Sequence, residues 1–176
     1  MSMERIATAL DRVSAALRRK PQAGIHDDAA ATARWDGGLR TRVLHDAGHE
    51  LLTDMPAEIG GEDGAPTPGW FMRAGLASCA VTRIAMAAAA EGIRLETLEA
   101  RASSRSDTRG MLLIPEADGS AVPAQPLEIA LHVRIGAPGV PAERLRTLVE
   151  WTARCSPVGC TVEQPMPLAL HVDVAS

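Results

Sequence analysis

The chain has 176 residues, a formal net charge of -4 and an apolar share of 46%, with no Tyr and a single Phe. This length predicts one domain with a core of ordinary size. The acidic balance excludes a general nucleic-acid binder, because such a protein needs a basic face to neutralise phosphates. Three cysteines and an N-terminus without a continuous apolar run predict a cytoplasmic protein with reduced thiols and no membrane segment.

The first element is a predicted amphipathic helix. Residues 4–19 carry apolar side chains at helical spacing, and Pro21 and Gly24 follow them as stop signals. We therefore divide the chain into an N-terminal helical extension, residues 1–24, and a domain formed by residues 25–176.

Short alternating segments open the domain. ATARW, LRTRVLHD and HELLTD are separated by Gly37-Gly38 and Ala47-Gly48. Apolar and polar residues in alternation between tight glycine turns predict a meander of antiparallel strands.

A long apolar segment follows the Gly- and Pro-rich stretch IGGEDGAPTPGW. Thr67 is a good N-cap residue with Pro68 at the first helical position, and Gly92 is a plausible stop. We therefore predict a helix of about two dozen residues. Small and apolar residues cover almost its whole circumference, which is typical of a buried helix.

The last third mixes predicted strands with one more helix. LETLEARASSRSD, MLLIPE, LEIALHVRI and the closing LALHVDV are predicted strands, and residues 141–155 are a predicted helix opened by Pro141. The whole order predicts an α+β fold, in which helices pack against mainly antiparallel sheet.

Metal and phosphate chemistry fit this sequence poorly. Cys155 and Cys160 meet only the loosest zinc spacing, and His45 and His49 flank a predicted turn. The glycine-rich loop lacks the lysine and hydroxyl of a phosphate loop. We therefore expect no metal ion and no cofactor.

Cys79 has two interpretations from the residues alone. It lies near the middle of the long helix, too far from the N-terminus for the helix dipole to activate it. A cysteine among alanines is usually a small buried hydrophobe. A reactive thiolate would need an arginine nearby, and Arg83 one turn later or Arg40 and Arg42 in the second strand could supply it.

Two motifs in this order resemble the OsmC/Ohr family of osmotically inducible and organic-hydroperoxide-resistance proteins. They are PTPGWFMRAGLASCAVTRIAMAAAAEGI on the long helix and RCSPVGCTV at the end of the second helix. The resemblance covers roughly residues 29–174 and identifies residues 25–176 as an OsmC-like domain. It implies mainly antiparallel sheets packed around a long buried central helix and a second helix, in an intertwined homodimer with two interface sites.

Active members of this family reduce organic hydroperoxides with a pair of cysteines. The resemblance implies that Cys79 attacks the peroxide, that Cys155 resolves the oxidised thiol as a disulfide and that Arg40 activates Cys79. It implies a small organic hydroperoxide and a thiol or dithiol reductant as partners, in the cytoplasm, without nucleic acid or membrane. The alternative residues for these roles are Cys160, Arg42 and Arg83.

The sequence departs from the family pattern at two positions. Gly69 stands where family peroxidases have the glutamate that orients the arginine. Ser156 stands directly before Pro157, where the resolving cysteine normally lies, and Cys155 comes one residue early. One residue turns a helix by about 100°, which would point Cys155 elsewhere if the helix continued to it. A second hypothesis is therefore an OsmC-fold dimer that binds a small apolar ligand at the subunit interface without efficient peroxide turnover.

Overall fold

The computed structural model describes residues 2–164 and 166–175. Two short 3-10 turns, Pro21–Gly24 and Ala57–Ile59, accompany the main elements. In chain order these elements are α1 (Met3–Arg19), β1 (Ala31–Trp35), β2 (Thr41–His45), β3 (Glu50–Thr53), α2 (Pro68–Ala90), β4 (Thr97–Arg105), α3 (Thr108–Met111), β5 (Glu128–Gly136), α4 (Ala142–Ala153) and α5 (Pro157–Glu163).

The ends of the long helix α2 confirm the cap signals in the sequence. The Thr67 hydroxyl accepts the Trp70 N–H at 3.2 Å, and Pro68 occupies the first helical position, where no N–H is needed. Gly92 follows the helix with a φ of +67°, a left-handed conformation that favours glycine. The predicted helix α1 is confirmed as well.

The N-terminal sheet is the predicted antiparallel meander, in the order β1-β2-β3. Trp35 of β1 pairs with Thr41 of β2, and Thr41 pairs in turn with the buried Thr53 of β3. All five residues of β1 are exposed. This sheet therefore presents a large part of its surface to solvent.

The second sheet pairs β4 with β5 in antiparallel register from Thr97↔Gly136 to Arg105↔Glu128. The predicted alternation of β5 is confirmed, since Ile129, Leu131 and Val133 are half-buried between exposed neighbours. Helices α2 and α4 enclose the core beside this sheet. Its buried cluster consists of Ile84, Ala87, Ala88, Ile93, Leu145 and Leu148.

The prediction of a strand at MLLIPE is wrong. The Asp107 carboxylate accepts the Arg109 N–H at 2.9 Å and caps the short helix α3, which ends at Met111. Gly110 packs so tightly that a Cβ would collide with the Pro123 carbonyl, and Leu113 has a left-handed φ of 58°. The apolar run therefore turns and leaves its side chains at the surface.

The prediction of a closing strand at LALHVDV is also wrong for the described residues 166–175. They form no strand, and their apolar side chains are exposed, from 71% at Val172 to 90% at Leu168. Alternation suits a segment to a sheet, but a strand forms only against a neighbour that accepts its backbone hydrogen bonds.

These elements confirm the α+β class, with mainly antiparallel sheet packed around a long central helix and a second helix, α4. The prediction that α4 extends to Cys155 is wrong: the helix ends at Ala153, and α5 follows from Pro157. In the described chain, no helix combines the length and the apolar character needed to span a membrane.

Candidate thiol site

Cys79 and Ser156 form the centre of the candidate site. The Ser156 hydroxyl donates to the Cys79 sulfur, with 3.2 Å between Oγ and Sγ. Ser156 is 3% exposed, whereas Cys79 is half-buried on α2. The two side chains lie far apart in the sequence and meet because α5 packs against α2.

Local sequence fixes the Ser156 side chain at this point. Pro157 disfavours continuation of α4, because the residue before a proline is pushed out of helical conformation. Ser156 is extended, with φ and ψ of -84° and 113°, and its Oγ accepts the Gly159 N–H at 3.3 Å as the N-cap of α5. The hydroxyl thus accepts a hydrogen bond from the helix and has its one O–H left to donate to the sulfur.

A cavity of about 210 Å3 lies beside this pair, with Ser156 in its wall. It has few polar lining residues: the Thr152 hydroxyl is bonded to carbonyls of its own helix, and Glu163, an exposed residue, is the only lining residue with a charged side chain among those described. The apolar lining comes from α2, β5, α4 and α5, namely Leu76, Ala80, Ile84, Ile129, Leu131, Val133, Val149, Ala153, Gly159 and Val162. The cavity can therefore receive a small hydrophobic molecule in contact with Ser156, the hydrogen-bond partner of Cys79, although Cys79 itself is not one of its lining residues.

The structure does not bring the other two thiols to Cys79 as hydrogen-bonded partners. Cys155 is exposed in the turn between α4 and α5, where its N–H bonds to the Thr152 carbonyl. The Cys160 thiol donates to the Arg154 carbonyl oxygen at 3.5 Å. All three cysteines are free, and the resolving role expected for Cys155 or Cys160 stays a prediction.

Arg40, the arginine implied by the family resemblance, lies between two carboxylates. Its Nη2 is 2.7 Å from Glu62 and 3.7 Å from Asp54, whose side chain is only 2% exposed. The Asp54 carboxylate accepts N–H groups of Met55, Gly64 and Glu62, which hold the pKa of this carboxyl below its ordinary value; Arg40 adds to the effect and burial opposes it.

Arg42 is paired with carboxylates in the same sheet. It contacts Asp36 at 3.1 Å and also bonds to Glu50, and both partners raise the pKa of its guanidinium, with Asp36 dominant. The two arginines of β2 and its leading turn are thus neutralised by acidic neighbours.

Arg83 lies in a different environment, one helical turn after Cys79. Its Nε is buried without a hydrogen-bond partner among the described residues, and its Nη1 contacts the Met86 sulfur at 3.7 Å. No acidic side chain of the described chain lies within ion-pair distance of it. Residues four apart share a helix face, so Arg83 and Cys79 lie on the same side of α2.

The histidines of the β2–β3 turn have a structural role. The ring centroids of His45 and His49 lie 5.9 Å apart, and His45 Nδ1 accepts the Ala47 N–H at 3.0 Å. Across the residues that the structure describes, no group of three or more His, Cys, Asp or Glu side chains is arranged to hold a metal ion.

Sequence reasoning identified Ser156 only as a departure from a pattern and missed its contact with Cys79. The available signal was the Ser-Pro pair, which opens α5 in the same way that Thr67-Pro68 opens α2. The burial of Asp54 next to Arg40 had no such local signal, because it depends on the fold of the loop that follows β3.

The sequence profile of the OsmC-like protein family matches residues 60–171. The match covers more than half of the chain and includes both Cys79 and Ser156. The chain therefore belongs to the OsmC-like protein family.

Solved structures of this family share the fold. A putative osmotic stress induced and detoxification response protein from Psychrobacter arcticus is 21% identical, with 80% of this chain and 92% of the other covered and a TM-score of 0.60. An organic hydroperoxide resistance protein from Legionella pneumophila is 22% identical, with coverages of 78% and 90% and a TM-score of 0.57. The organic hydroperoxide resistance protein OhrB of Bacillus subtilis is 21% identical, with coverages of 79% and 93% and a TM-score of 0.52.

No curated protein sequence matches the chain.

Proposed function

We propose that the protein is a thiol-dependent peroxidase that reduces small organic hydroperoxides through Cys79. The observation that carries this proposal is the hydrogen bond to the Cys79 sulfur from Ser156, a residue that lines an apolar cavity. Family membership and the names of the Legionella and Bacillus relatives support the same substrate class.

The proposed reaction begins when the Cys79 thiolate attacks the terminal oxygen of the hydroperoxide. The O–O bond breaks, the alkoxide takes up a proton and leaves as an alcohol, and sulfur keeps the hydroxyl as a sulfenic acid. The Ser156 hydroxyl stabilises the attacking thiolate, because a donated hydrogen bond favours a charged acceptor. The apolar cavity holds the organic part of the substrate.

We assign Arg83 as the positioning arginine of this site. It shares a helix face with Cys79 and has no acidic partner in the described chain, whereas Arg40 is held by Asp54 and Glu62. Arg40, the arginine that the family resemblance implies, is the alternative. A comparison of Arg83→Gln with Arg40→Gln decides between the two.

A homodimer and a reducing, cytoplasmic location belong to the same proposal. Large apolar side chains are exposed on the first sheet and on residues 166–175, including Trp35 at 77% and Val174 at 90%. Such surface is typical of a subunit interface, and a second copy would cover it. Sedimentation at micromolar concentration should show a dimer; a monomer at all concentrations would contradict this part.

The second candidate function is binding of a small apolar ligand without turnover. The cavity favours it, and Gly69 in place of the family glutamate is consistent with it. Both candidates need the cavity, but only the peroxidase needs the thiol.

Steady-state consumption of cumene hydroperoxide with dithiothreitol as reductant separates the two candidates. We expect turnover by the wild type and loss of at least about a hundredfold in Cys79→Ser, since the nucleophile is removed. Ser78→Ala, an exposed neighbour on α2, is the matched control and should retain the rate. If the wild type consumes no more peroxide than Cys79→Ser yet binds cumyl alcohol, the ligand-binding candidate is correct.

A further inference from the structure

Ser156 lies against the reacting sulfur, at the position where a resolving thiol would have to lie. Its Oγ is 3.2 Å from the Cys79 sulfur, and the side chain is almost completely buried. A hydroxyl can donate a hydrogen bond to sulfur, but it cannot form a disulfide with it. The residue that contacts the sulfur of oxidised Cys79 therefore carries no thiol that could resolve it.

The two remaining cysteines are directed elsewhere by the turn that places Ser156. Cys155 precedes Ser156 and is exposed, while the Cys160 thiol is bonded to the Arg154 carbonyl. A disulfide requires a S–S distance of about 2.0 Å and Cβ atoms about 3.8 Å apart. To reach Cys79, Cys155 would have to leave its exposed position in the turn, and Cys160 would have to give up its bond to the Arg154 carbonyl.

We propose that Cys79 is the only cysteine of this chain that takes part in turnover and that an external small thiol, rather than Cys155 or Cys160, resolves its sulfenic acid. This inference rests on the proposed peroxidase function and deepens it, because it names the second substrate. The Ser156 hydroxyl is then a positioning group that holds the Cys79 sulfur through its hydrogen bond.

Two external thiols are needed to reduce the Cys79 sulfenic acid back to the thiol. The first thiolate attacks the Cys79 sulfur, the S–O bond breaks, and the hydroxyl leaves as water with one proton, which gives a mixed disulfide. A second thiolate attacks the external sulfur of this mixed disulfide and releases the Cys79 thiol. Overall, one hydroperoxide and two thiols become one alcohol, one water and one external disulfide.

The chemistry of the cavity wall defines the class of thiol. The lining residues are apolar apart from Ser156, Thr152 and the exposed, negatively charged Glu163. A negatively charged thiol would approach Glu163 with charge repulsion and would lose hydration on entry. A compact uncharged thiol is therefore the expected reductant, and 2-mercaptoethanol is a suitable probe.

The test treats the full chain with one molar equivalent of cumene hydroperoxide without reductant and measures intact mass and free thiols. In the presence of dimedone we expect one adduct, on Cys79, and two thiols left free. With one molar equivalent of 2-mercaptoethanol in place of dimedone, we expect one mixed disulfide, because no second thiol is left to release Cys79. The double variant Cys155→Ser/Cys160→Ser should behave in the same way and keep at least half of the turnover rate.

Ser156→Cys should restore an internal resolver. After treatment with the hydroperoxide, we expect this variant to have two fewer free thiols, a mass lower by two hydrogens and no dimedone adduct. The reason is that its new sulfur would lie next to Cys79 and form a disulfide with it. If it fails to fold, Ser156→Ala should still give the Cys79 adduct with two free thiols.

Two outcomes overturn the inference: an internal disulfide in the wild type that disappears in Cys155→Ser or Cys160→Ser, or a disulfide-linked dimer. If Cys79 takes up no oxygen in any variant, the peroxidase proposal itself has failed, and this result is distinct from both.

Discussion

The arginines of the first sheet and the arginine that follows Cys79 differ in what surrounds them. Arg40 and Arg42 contact the carboxylates of Asp54, Glu62, Asp36 and Glu50. Arg83 has no acidic partner in the described chain, and its Nε is buried without a hydrogen bond. Paired charge stabilises a local structure, whereas unpaired and partly desolvated positive charge remains available to a thiolate. This contrast is the basis for proposing Arg83, rather than Arg40 or Arg42, as the arginine that acts on Cys79.

Among the tests of this contrast, the largest expected effect comes from neutralising Arg83. In a Cys155→Ser/Cys160→Ser background, Arg83→Gln should slow oxidation of Cys79 by cumene hydroperoxide about ten-fold, the equivalent of about 1.4 kcal/mol. Arg83→Lys should recover most of the rate, because it restores the charge, and a purely structural role would not predict that recovery. The measurement is stopped-flow loss of the single free thiol at neutral pH.

Arg42→Gln, in the same background, is the matched control for charge and should leave this rate within a factor of about two. If Arg40→Gln slows oxidation more than Arg83→Gln does, the family-implied arginine is the active one, and the contrast between the two regions is wrong.

A smaller effect, on stability, should come from the buried carboxylate of the first region. Asp54→Asn removes the charge that orders three N–H groups of the loop and holds Arg40, so thermal unfolding should begin at a lower temperature. Asp46→Asn, on the exposed β2–β3 turn, is the matched control.

The same carboxylate predicts a pH dependence. Its pKa in the folded protein lies below the ordinary value of about 3.9, so its stabilisation is present above that pH and is lost as the pH falls through the folded-state value. Wild type should therefore lose more stability than Asp54→Asn on acidification from neutrality to pH about 3. Equal losses in the two proteins would contradict the assignment.

The smallest effect should be one of substrate preference. Glu163 is the charged residue among those that line the cavity. Glu163→Gln should raise the rate with an anionic fatty-acid hydroperoxide relative to cumene hydroperoxide roughly two- to five-fold, the range of an exposed charge pair. Glu150→Gln makes the same change from carboxylate to amide at an exposed position of α4, and it should leave the ratio of the two rates unchanged. A ratio that stays the same in both variants would place the substrate away from Glu163.

The sequence predicted the parts of this fold whose signals are local. The Thr67-Pro68 cap, the two-residue alternation of β5 and the glycine turns of the first sheet each act over a few residues, and the structure confirms them. The strand at MLLIPE failed because a cap at Asp107 and close packing at Gly110 override the apolar run.

The site was only partly predictable for a similar reason. Cys79 was identified through the order of two motifs, but the partner of its sulfur depends on where α4 ends. That end lies two residues before Cys155, and it brings Ser156 rather than a cysteine to the thiol. A contact between residues so distant in sequence is a property of packing, which no local pattern records.

The most direct test of the Cys79–Ser156 site is the location of the first oxygen added to the protein. One molar equivalent of cumene hydroperoxide, followed by dimedone and peptide mass mapping, should place the adduct on Cys79 and leave the more exposed Cys155 unmodified. Preference for the half-buried thiol over an exposed one requires that its surroundings activate it. An adduct chiefly on Cys155 or Cys160, with Cys79 untouched, would contradict the proposed site.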